Sequence, residues 1–253
     1  MEKNVEKLTS RSNPTSKHVK KLGTSLSYRE EQRQFFCDGE KLFNEAINFG
    51  ADIEIVITSK DITQVLPEKT RIYHASNDLI DSLSPLKNSQ GLLFTCNIPP
   101  DTDCDFLTGT HILLDNIQDP GNAGTIIRSA HAFGIKSIIL TKNSVDIYNP
   151  KTIRATMGAI FTQKIYVMNM EEIKKIKQTG ANLIGTSNEK TSTDITKVKL
   201  SNSIIIFGNE GQGISNELLA QCDILVRIPL LNNCESLNVA IAAAIIMWEN
   251  KRR

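Results

Sequence analysis

Three short stretches of the sequence carry polar side chains beside apolar runs, as ligand sites of α/β proteins do. The first is DNIQDPGNAGTIIRSAHAFGI at 115–135, where Asn122 and Arg128 begin an otherwise apolar helical pattern. A turn into a helix presents free backbone N–H groups, so an amide and a guanidinium there could bind an anionic or hydroxylated ligand. We expect Arg128 to be partly buried and to face one site with Asn122. A capped structural turn with a salt-bridged arginine is the alternative.

The second stretch is the glycine-rich GNEGQG at 208–213, and the third is IPLLNNCESLN at 228–238. Glycine permits close approach of backbone to a ligand, although a simple hairpin explains the same composition. In the third stretch Glu235, Ser236 and Asn238 precede an apolar helical run. Capping of that helix accounts for one of these polar residues, which leaves the others for chemistry.

The usual nucleotide and metal motifs are absent from the sequence. The GNAG at 121–124 matches neither the dinucleotide-binding fingerprint nor the P-loop. The cysteines form no C-x-x-C pair, which argues against a zinc site and a disulfide framework, and no metal is expected. We predict reduced, mostly buried thiols at Cys37, Cys96, Cys104, Cys222 and Cys234.

Taken together, the three stretches resemble the SpoU, or TrmH-like, family of RNA ribose 2′-O-methyltransferases, within the SPOUT superfamily. The resemblance rests on the order and spacing of Asn122 and Arg128, of GNEG at 208–211, and of I-P…E-S-L-N at 228–238. A further segment at 149–161 is similar to the family's sequence between the first two motifs. The resemblance implies an enzyme that uses S-adenosylmethionine to methylate a ribose 2′-hydroxyl of RNA, with 23S rRNA as the expected substrate.

The resemblance also implies roles for individual residues. Arg128 would lie at the catalytic centre, where we expect it to orient the substrate and stabilise charge, because a guanidinium is a poor proton acceptor. General-base catalysis by this arginine is the alternative. The other catalytic candidates are Asn122, Glu210, Ser236 and Asn238. The cofactor would be bound by Thr186, Ser187, Gly208, Asn209, Gly211, Ile228, Leu230 and Leu237.

The elements that must position these residues form an α/β pattern. Near-continuous apolar strands alternating with helices predict a parallel sheet buried on both faces. The predicted strands are 111–114, 137–140, 163–167, 182–186, 203–207 and 224–228. By resemblance this is a SPOUT domain with a deep trefoil knot, its last helix at about 237–250 threading an earlier loop. Knots are too rare for the pattern itself to predict one.

The N-terminal part shows a weaker βα alternation. We predict one helix over 28–48, a second helix at 77–83, and strands at 53–58, 71–74 and 92–96. The polar stretch 97–110 is typical of a linker, which predicts domains at 1–105 and 106–253. The first domain resembles, more faintly, the family's L30e-like RNA-binding domain.

Charge is concentrated at the N-terminus. Residues 1–33 contain eight Lys or Arg against four Glu, although the whole chain has a net charge of +1. Such an asymmetry suits an arm that binds phosphates, and a solvated amphipathic helix is the alternative. The RNA-binding candidates are Lys17, Lys20, Lys21, Lys151 and Arg154.

The apolar run at 239–248 is about half as long as a bilayer-spanning helix, and no secretory signal is visible, so we expect a cytoplasmic protein. Because this run is apolar all round, we also expect a homodimer that packs against it. The alternatives for function are a tRNA 2′-O-methyltransferase, a catalytically inactive SPOUT-fold protein of RNA binding or ribosome assembly, and an ordinary nucleotide-binding α/β enzyme.

Overall fold

The chain was analysed as a computed structural model, which describes residues 5–100, 102–231 and 236–252. Contacts divide the chain into two compact units. The first consists of Met1–Pro100 and Asp146–Phe161, and the second of Asp101–Val145 and Thr162–Arg253. The sequence placed one boundary at 105/106 and did not foresee that Asp146–Phe161, hereafter the inserted segment, belongs to the first unit. Cys234 and Glu235 lie outside the described residues.

The first unit is built on a five-stranded mixed sheet. Its strands, in the spatial order β1-β4-β3-β5-β2, are β1 (Val5–Lys7), β2 (Gln34–Asp38), β3 (Ile53–Thr58), β4 (Arg71–His74) and β5 (Leu92–Asn97). Strands β1, β4 and β3 are parallel, and β5 is antiparallel to both of its neighbours. The helices are α1 (Pro14–Thr24), α2 (Leu26–Gln32), α3 (Glu40–Asn48) and α4 (Asn77–Leu83).

The predicted single helix over 28–48 is wrong. Helix α2 ends where Arg33 adopts a left-handed φ of 50°, and β2 intervenes before α3 begins. Phe35 and Phe36 point to opposite faces of β2, yet they are 2% and 0% exposed. A strand buried on both faces shows no polar alternation, so its apolar run fits a helix equally well.

The inserted segment buries one of those faces. The ring of Phe35 stacks on Tyr148, with ring centroids 4.8 Å apart, and also contacts Phe161. Arg29 is 4% exposed, and its Nε donates to the Asp146 carboxylate at 3.0 Å. Breaking a buried ion pair by removing one partner costs about 3–5 kcal/mol, so the segment is an integral part of the first unit.

The second unit contains a seven-stranded sheet in which every described pair is parallel. Its spatial order is β10-β12-β9-β11-β6-β7-β8. The strands are β6 (His111–Leu114), β7 (Ser137–Thr141), β8 (Ile165–Met168), β9 (Leu183–Thr186), β10 (Thr193–Asp194), β11 (Ile204–Phe207) and β12 (Ile224–Arg227). This confirms the predicted α/β class and parallel sheet; β10 was not predicted.

Helices pack around that sheet. They are α5 (Pro120–Phe133), α7 (Met170–Gln178), α8 (Asn216–Leu219) and α9 (Val239–Arg252), whereas α6 (Pro150–Thr156) lies in the inserted segment. Strands β6 and β11 are fully buried, each Leu or Ile contributing about 1.5–3 kcal/mol. Among the described residues, no helix is long and apolar enough to cross a membrane. Whether α9 completes a knot stays a prediction.

Candidate functional site

The first motif forms a tight turn between β6 and α5. Asn116 adopts a left-handed φ of 57°, and α5 then begins with Pro120 in its first turn. Asp119 caps the helix, because its side chain accepts a hydrogen bond from the Asn122 backbone N–H at 2.7 Å. The cap places Asn122 in the first turn of α5, at the carboxyl edge of the sheet where ligands bind.

The second motif is a compact loop after β11. Asn209 and Gly213 exchange two backbone hydrogen bonds of 2.9 Å. The Asn209 Oδ1 also accepts from the backbone N–H groups of Gly211 and Gln212. A Cβ on Gly208 would lie 2.1 Å from the Gly213 carbonyl carbon, so this position needs glycine for packing. The loop is therefore held rigidly by its own backbone and one amide.

A directed chain of hydrogen bonds joins the three motifs. The Asn238 Oδ1 accepts from the backbone N–H groups of Ala240 and Ile241 at the start of α9, which leaves its Nδ2 to donate. That nitrogen donates to Asn122 Oδ1 at 3.0 Å, and Asn122 Nδ2 donates to Glu210 Oε1 at 2.9 Å. The hydrogen-bond partners of each amide fix its orientation. The series of hydrogen bonds therefore also fixes the position of the Glu210 carboxylate.

Two further hydrogen bonds tie the first motif to the second. The buried Asp115 carboxylate accepts from the Ser215 backbone N–H at 2.7 Å, and Asn209 Nδ2 donates to the Asn116 carbonyl oxygen at 2.9 Å. Because the Asn209 side chain also closes its own loop, one residue sets both the shape and the position of the second motif.

A cavity of about 430 Å³ opens beside this network. Its volume is within the usual range for sites of small molecules and cofactors. The charged residues that line it in the described part of the chain are Glu189 and Glu210, and no basic side chain lines it there. Hydroxyl, amide, backbone and apolar groups complete the wall, which suits a ligand with a cationic centre. A nucleoside cofactor that carries a sulfonium group fits this set of groups.

The structure brings most of the predicted residues to this cavity. The wall includes Thr186, Ser187, Gly208, Asn209, Glu210, Ile228, Leu230, Ser236, Leu237 and Asn238. Gly211 is not among the lining residues, and Asn122 reaches the site through its hydrogen bonds. The sequence analysis did not select Asn188, Glu189 and Gln212, which also line the cavity. Asn188 and Glu189 are the two residues after the selected Ser187, and Gln212 follows the selected Gly211.

Arg128 is placed differently from our expectation. Its side chain is exposed, and it does not line the cavity. Six residues of helix separate it from Asn122, which puts the two side chains about 120° apart around the axis of α5 rather than on one face. The burial expected from its apolar neighbours is wrong, because those neighbours occupy the opposite side of the helix.

The RNA-binding candidates all belong to the first unit. Lys17, Lys20 and Lys21 are exposed on α1, and Lys21 Nζ lies 4.1 Å from the centroid of the Tyr28 ring. Lys151 is exposed as well. Arg154 instead pairs with the buried Asp38 carboxylate and donates to the Asn88 carbonyl oxygen, so much of its guanidinium is used to hold the first unit together.

The described cysteines are free thiols, but the sequence predicts mostly buried ones, and Cys104 and Cys222 are only half-buried. Cys37 and Cys96 are buried, and burial raises the pKa of the Cys37 thiol well above its usual value. Burial also raises the pKa of Cys222 to about 11. Both groups stay protonated at neutral pH, which makes them poor nucleophiles. No group of residues able to hold a metal ion occurs in the described ranges.

The fold and the cavity define a class: an α/β protein that binds a cofactor at the carboxyl edge of a parallel sheet. Residues 109–248 match the SpoU rRNA Methylase family, and residues 13–93 match the MRM3-like substrate binding domain. The chain belongs to the SpoU rRNA methylase family. It is therefore an RNA ribose 2′-O-methyltransferase that uses S-adenosylmethionine.

Individual relatives agree with this assignment over nearly the whole chain. The 23S rRNA (guanosine(2553)-2′-O)-methyltransferase RlmP of Bacillus subtilis is 30% identical over 249 residues, which are 96% of this chain and 98% of that protein. The AdoMet-bound rRNA methyltransferase of Sinorhizobium meliloti superposes with a TM-score of 0.86 at 29% identity, covering 98% of each chain. AviRb of Streptomyces viridochromogenes, solved with AdoMet, gives a TM-score of 0.81 at 26% identity, covering 95% of this chain and 98% of that one.

Proposed function

We propose that this enzyme methylates a ribose 2′-hydroxyl of 23S rRNA. The observation that carries the proposal is the chain of hydrogen bonds from Asn238 through Asn122 to Glu210 at the edge of the cavity. It joins all three motifs in one site. Full-length similarity to a 23S rRNA methyltransferase supports this RNA over tRNA as the substrate. We propose a cytoplasmic location as well, where a bacterial 23S rRNA would be met.

We assign cofactor binding to the wall of the cavity. When bound, S-adenosylmethionine supplies an activated methyl group on a positively charged sulfur. The backbone at Gly208, Ile228 and Leu237 would hold it, with hydroxyl groups of Thr186 and Ser187 at the end of β9. Thr186 donates its hydroxyl proton to the Ile206 carbonyl oxygen at 2.8 Å, so its oxygen is left to accept from a ligand.

We assign substrate binding to the polar edge of the same site. Ser236 and Asn238 lie at the start of α9, where they can hold the ribose, while Glu210 keeps the motif loops in register. An exposed guanidinium such as that of Arg128 can bind an RNA phosphate through two hydrogen bonds and stabilise charge during methyl transfer. The first unit, through Lys17, Lys20, Lys21 and Lys151, would bind the phosphates of the RNA.

We also propose a homodimer. Helix α9 buries Ala240, Ala243 and Met247 but leaves Ile241, Ile245 and Trp248 between 39% and 55% exposed. These three side chains recur at intervals of four and three residues and therefore form one apolar stripe. A second subunit that covers this stripe would also bring another Arg128 toward the cavity.

Transfer of label tests the proposal. The full-length protein is incubated with methyl-labelled S-adenosylmethionine and, separately, with 23S rRNA, 16S rRNA and tRNA that lack modifications. Label in 23S rRNA at a ribose position is the expected result. Label in tRNA alone would identify tRNA as the substrate instead. Cofactor binding without label in any RNA would favour a catalytically inactive RNA-binding protein.

A further inference from the structure

The loop after β9 contributes a carboxylate to the cavity that belongs to none of the three motifs. Glu189 lies in this loop, is exposed, and lines the cavity. Its Oε2 accepts a hydrogen bond from the Thr191 hydroxyl at 3.3 Å, the one side-chain contact that the carboxylate makes within the described residues. Its backbone N–H is anchored on the Ser187 hydroxyl at 3.1 Å. The loop backbone is thus fixed while the carboxylate stays available to a ligand.

The charged side chains that line the cavity in the described residues are all negative. Of the two carboxylates that the described residues place in its wall, Glu210 already accepts a hydrogen bond from Asn122. Arg227, at the base of the same loop, donates its Nε to the Ser192 carbonyl oxygen and is not among the lining residues. Lys190 is exposed beside Glu189 and does not line the wall either. Among the described residues of the wall, Glu189 is therefore the negative charge that the motif network does not use.

Cofactor and product differ by one charge at the reacting sulfur. Methyl transfer forms a bond between the ribose oxygen and carbon and breaks the bond between carbon and sulfur. The electron pair goes to sulfur, and the hydroxyl proton is released. The sulfonium of S-adenosylmethionine becomes the neutral thioether of S-adenosylhomocysteine, while the ammonium, carboxylate and adenosine are unchanged. A negative wall therefore attracts the cofactor more strongly than the product.

We propose that Glu189 is a specificity-determining residue that makes the cavity discriminate the sulfonium cofactor from the thioether product. The inference rests on binding of S-adenosylmethionine in this cavity. Before transfer the carboxylate favours the bound cofactor. After transfer the attraction to the sulfur is lost, which promotes release of the product.

Isothermal titration calorimetry on the full-length protein tests this role. S-Adenosylmethionine, S-adenosylhomocysteine and an analogue with a charged amine in place of the sulfonium are titrated into wild type, Glu189→Gln and Glu189→Asp. Glu171→Gln, which removes an exposed charge of the same unit away from the cavity, is the matched control. We expect Glu189→Gln to weaken the two charged ligands roughly fivefold and to leave the neutral product unchanged. Glu189→Asp and Glu171→Gln should keep the wild-type ratio.

Two outcomes overturn the proposal. Equal weakening of all three ligands by Glu189→Gln would mean that Glu189 contacts a part that they share. Unchanged affinities would mean that its charge does not reach the sulfur. Failure of wild type to bind any of the three is a different result, which would refute the assignment of the cofactor to this cavity. Matching thermal unfolding curves for wild type and the variants exclude a folding defect as the cause.

Discussion

Arg128 differs from the other catalytic candidates in its surroundings. Asn122, Glu210 and Asn238 hold one another through hydrogen bonds, whereas the exposed Arg128 side chain makes no hydrogen bond or ion pair with the described residues. A guanidinium with all its donors free can bind a phosphate in a bidentate way. We therefore expect the Arg128 guanidinium to act on the bound RNA and not on the cofactor.

Replacement of this side chain separates the two roles. Arg128→Ala should lower methyl transfer by about 10²–10³-fold, because it removes a donor that stabilises charge in the transition state. The dissociation constant for S-adenosylmethionine, measured by calorimetry, should stay near that of wild type. Arg128→Lys keeps the charge but not the bidentate geometry, and we expect an intermediate rate. A parallel fall in cofactor affinity would show that the arginine serves the cavity instead.

At the scale of elements, the loop after β11 shows why two neighbouring glycines are not equivalent. Gly208 packs against the backbone of Gly213 and Ile214, so no side chain fits there. A Cβ on Gly211 would lie 3.7 Å from the Asn209 Oδ1, which is an ordinary van der Waals contact. The backbone of Gly211 is also outside the left-handed region. The loop thus depends on one glycine and tolerates change at the other.

The pair Gly208→Ala and Gly211→Ala tests this difference. Gly208→Ala should abolish cofactor binding, because the added carbon must push apart the two sides of the loop that forms the cavity wall. Gly211→Ala should bind S-adenosylmethionine within about twofold of wild type, since its contacts are unstrained. Calorimetry measures both affinities. Loss of binding in Gly211→Ala would show that Gly211 does belong to the cofactor site, as the sequence predicts.

Helix α1 carries the three exposed lysines that we propose as a phosphate-binding face. Replacing Lys17, Lys20 and Lys21 by Gln should flatten the salt dependence of RNA affinity, with the logarithmic slope falling by roughly 0.7–0.9 for each lost phosphate contact. Filter binding at several salt concentrations gives the slope. Lys69→Gln is the control, because Lys69 is paired with Asp52 on the same unit. If the triple variant and the control had the same slope, α1 would be merely a solvated helix.

For the whole molecule, the inserted segment changes how the chain can be divided. It leaves the second unit after β7 and returns before β8, yet its side chains complete the first unit. A cut at residue 105 would therefore leave the segment in the second fragment without the surface that Phe161 contacts and on which Ile153 is buried. Exposed apolar area of this kind promotes aggregation.

Two fragments test this division. The fragment 101–253 should bind a hydrophobic dye and aggregate, since the apolar side of its inserted segment has lost Phe35 and Arg29. The same fragment with 147–160 replaced by a short Gly/Ser linker should remain monodisperse and bind S-adenosylmethionine. Dye fluorescence and light scattering compare them. A well-behaved 101–253 fragment, equal to its linker variant, would show that the segment does not need the first unit.

The proposed dimer makes a further prediction at this scale. If Arg128 of one subunit serves the cavity of the other, mixing inactive Arg128→Ala with inactive Asn238→Ala should restore about a quarter of wild-type activity. Half of the randomly formed dimers are mixed, and each of those has one intact site of two. Methylation assays after subunit exchange measure the recovery. A dimer without recovery would place both residues in one subunit's site, and a monomer by light scattering would remove the premise.

The sequence by itself determined the features that depend on local pattern. Apolar runs separated by helices predicted the parallel sheet, and the bounds of β3, β4, β6 and α4 were predicted as the structure has them. The order and spacing of the three motifs supported the resemblance to the family, and ten of the residues selected through that resemblance line the cavity. These predictions succeed because side-chain periodicity and turn residues act over a few positions of the chain.

Only the tertiary structure decided which distant residues meet. The Asn122–Asn238 hydrogen bond joins positions 116 residues apart, and the Arg29–Asp146 pair joins positions 117 apart. No local pattern records such a contact, because it depends on how the sheet orders its strands and on what covers each face. For the same reason β2 was mistaken for a helix, the packing of the inserted segment within the first unit was not foreseen, and Glu189 was overlooked.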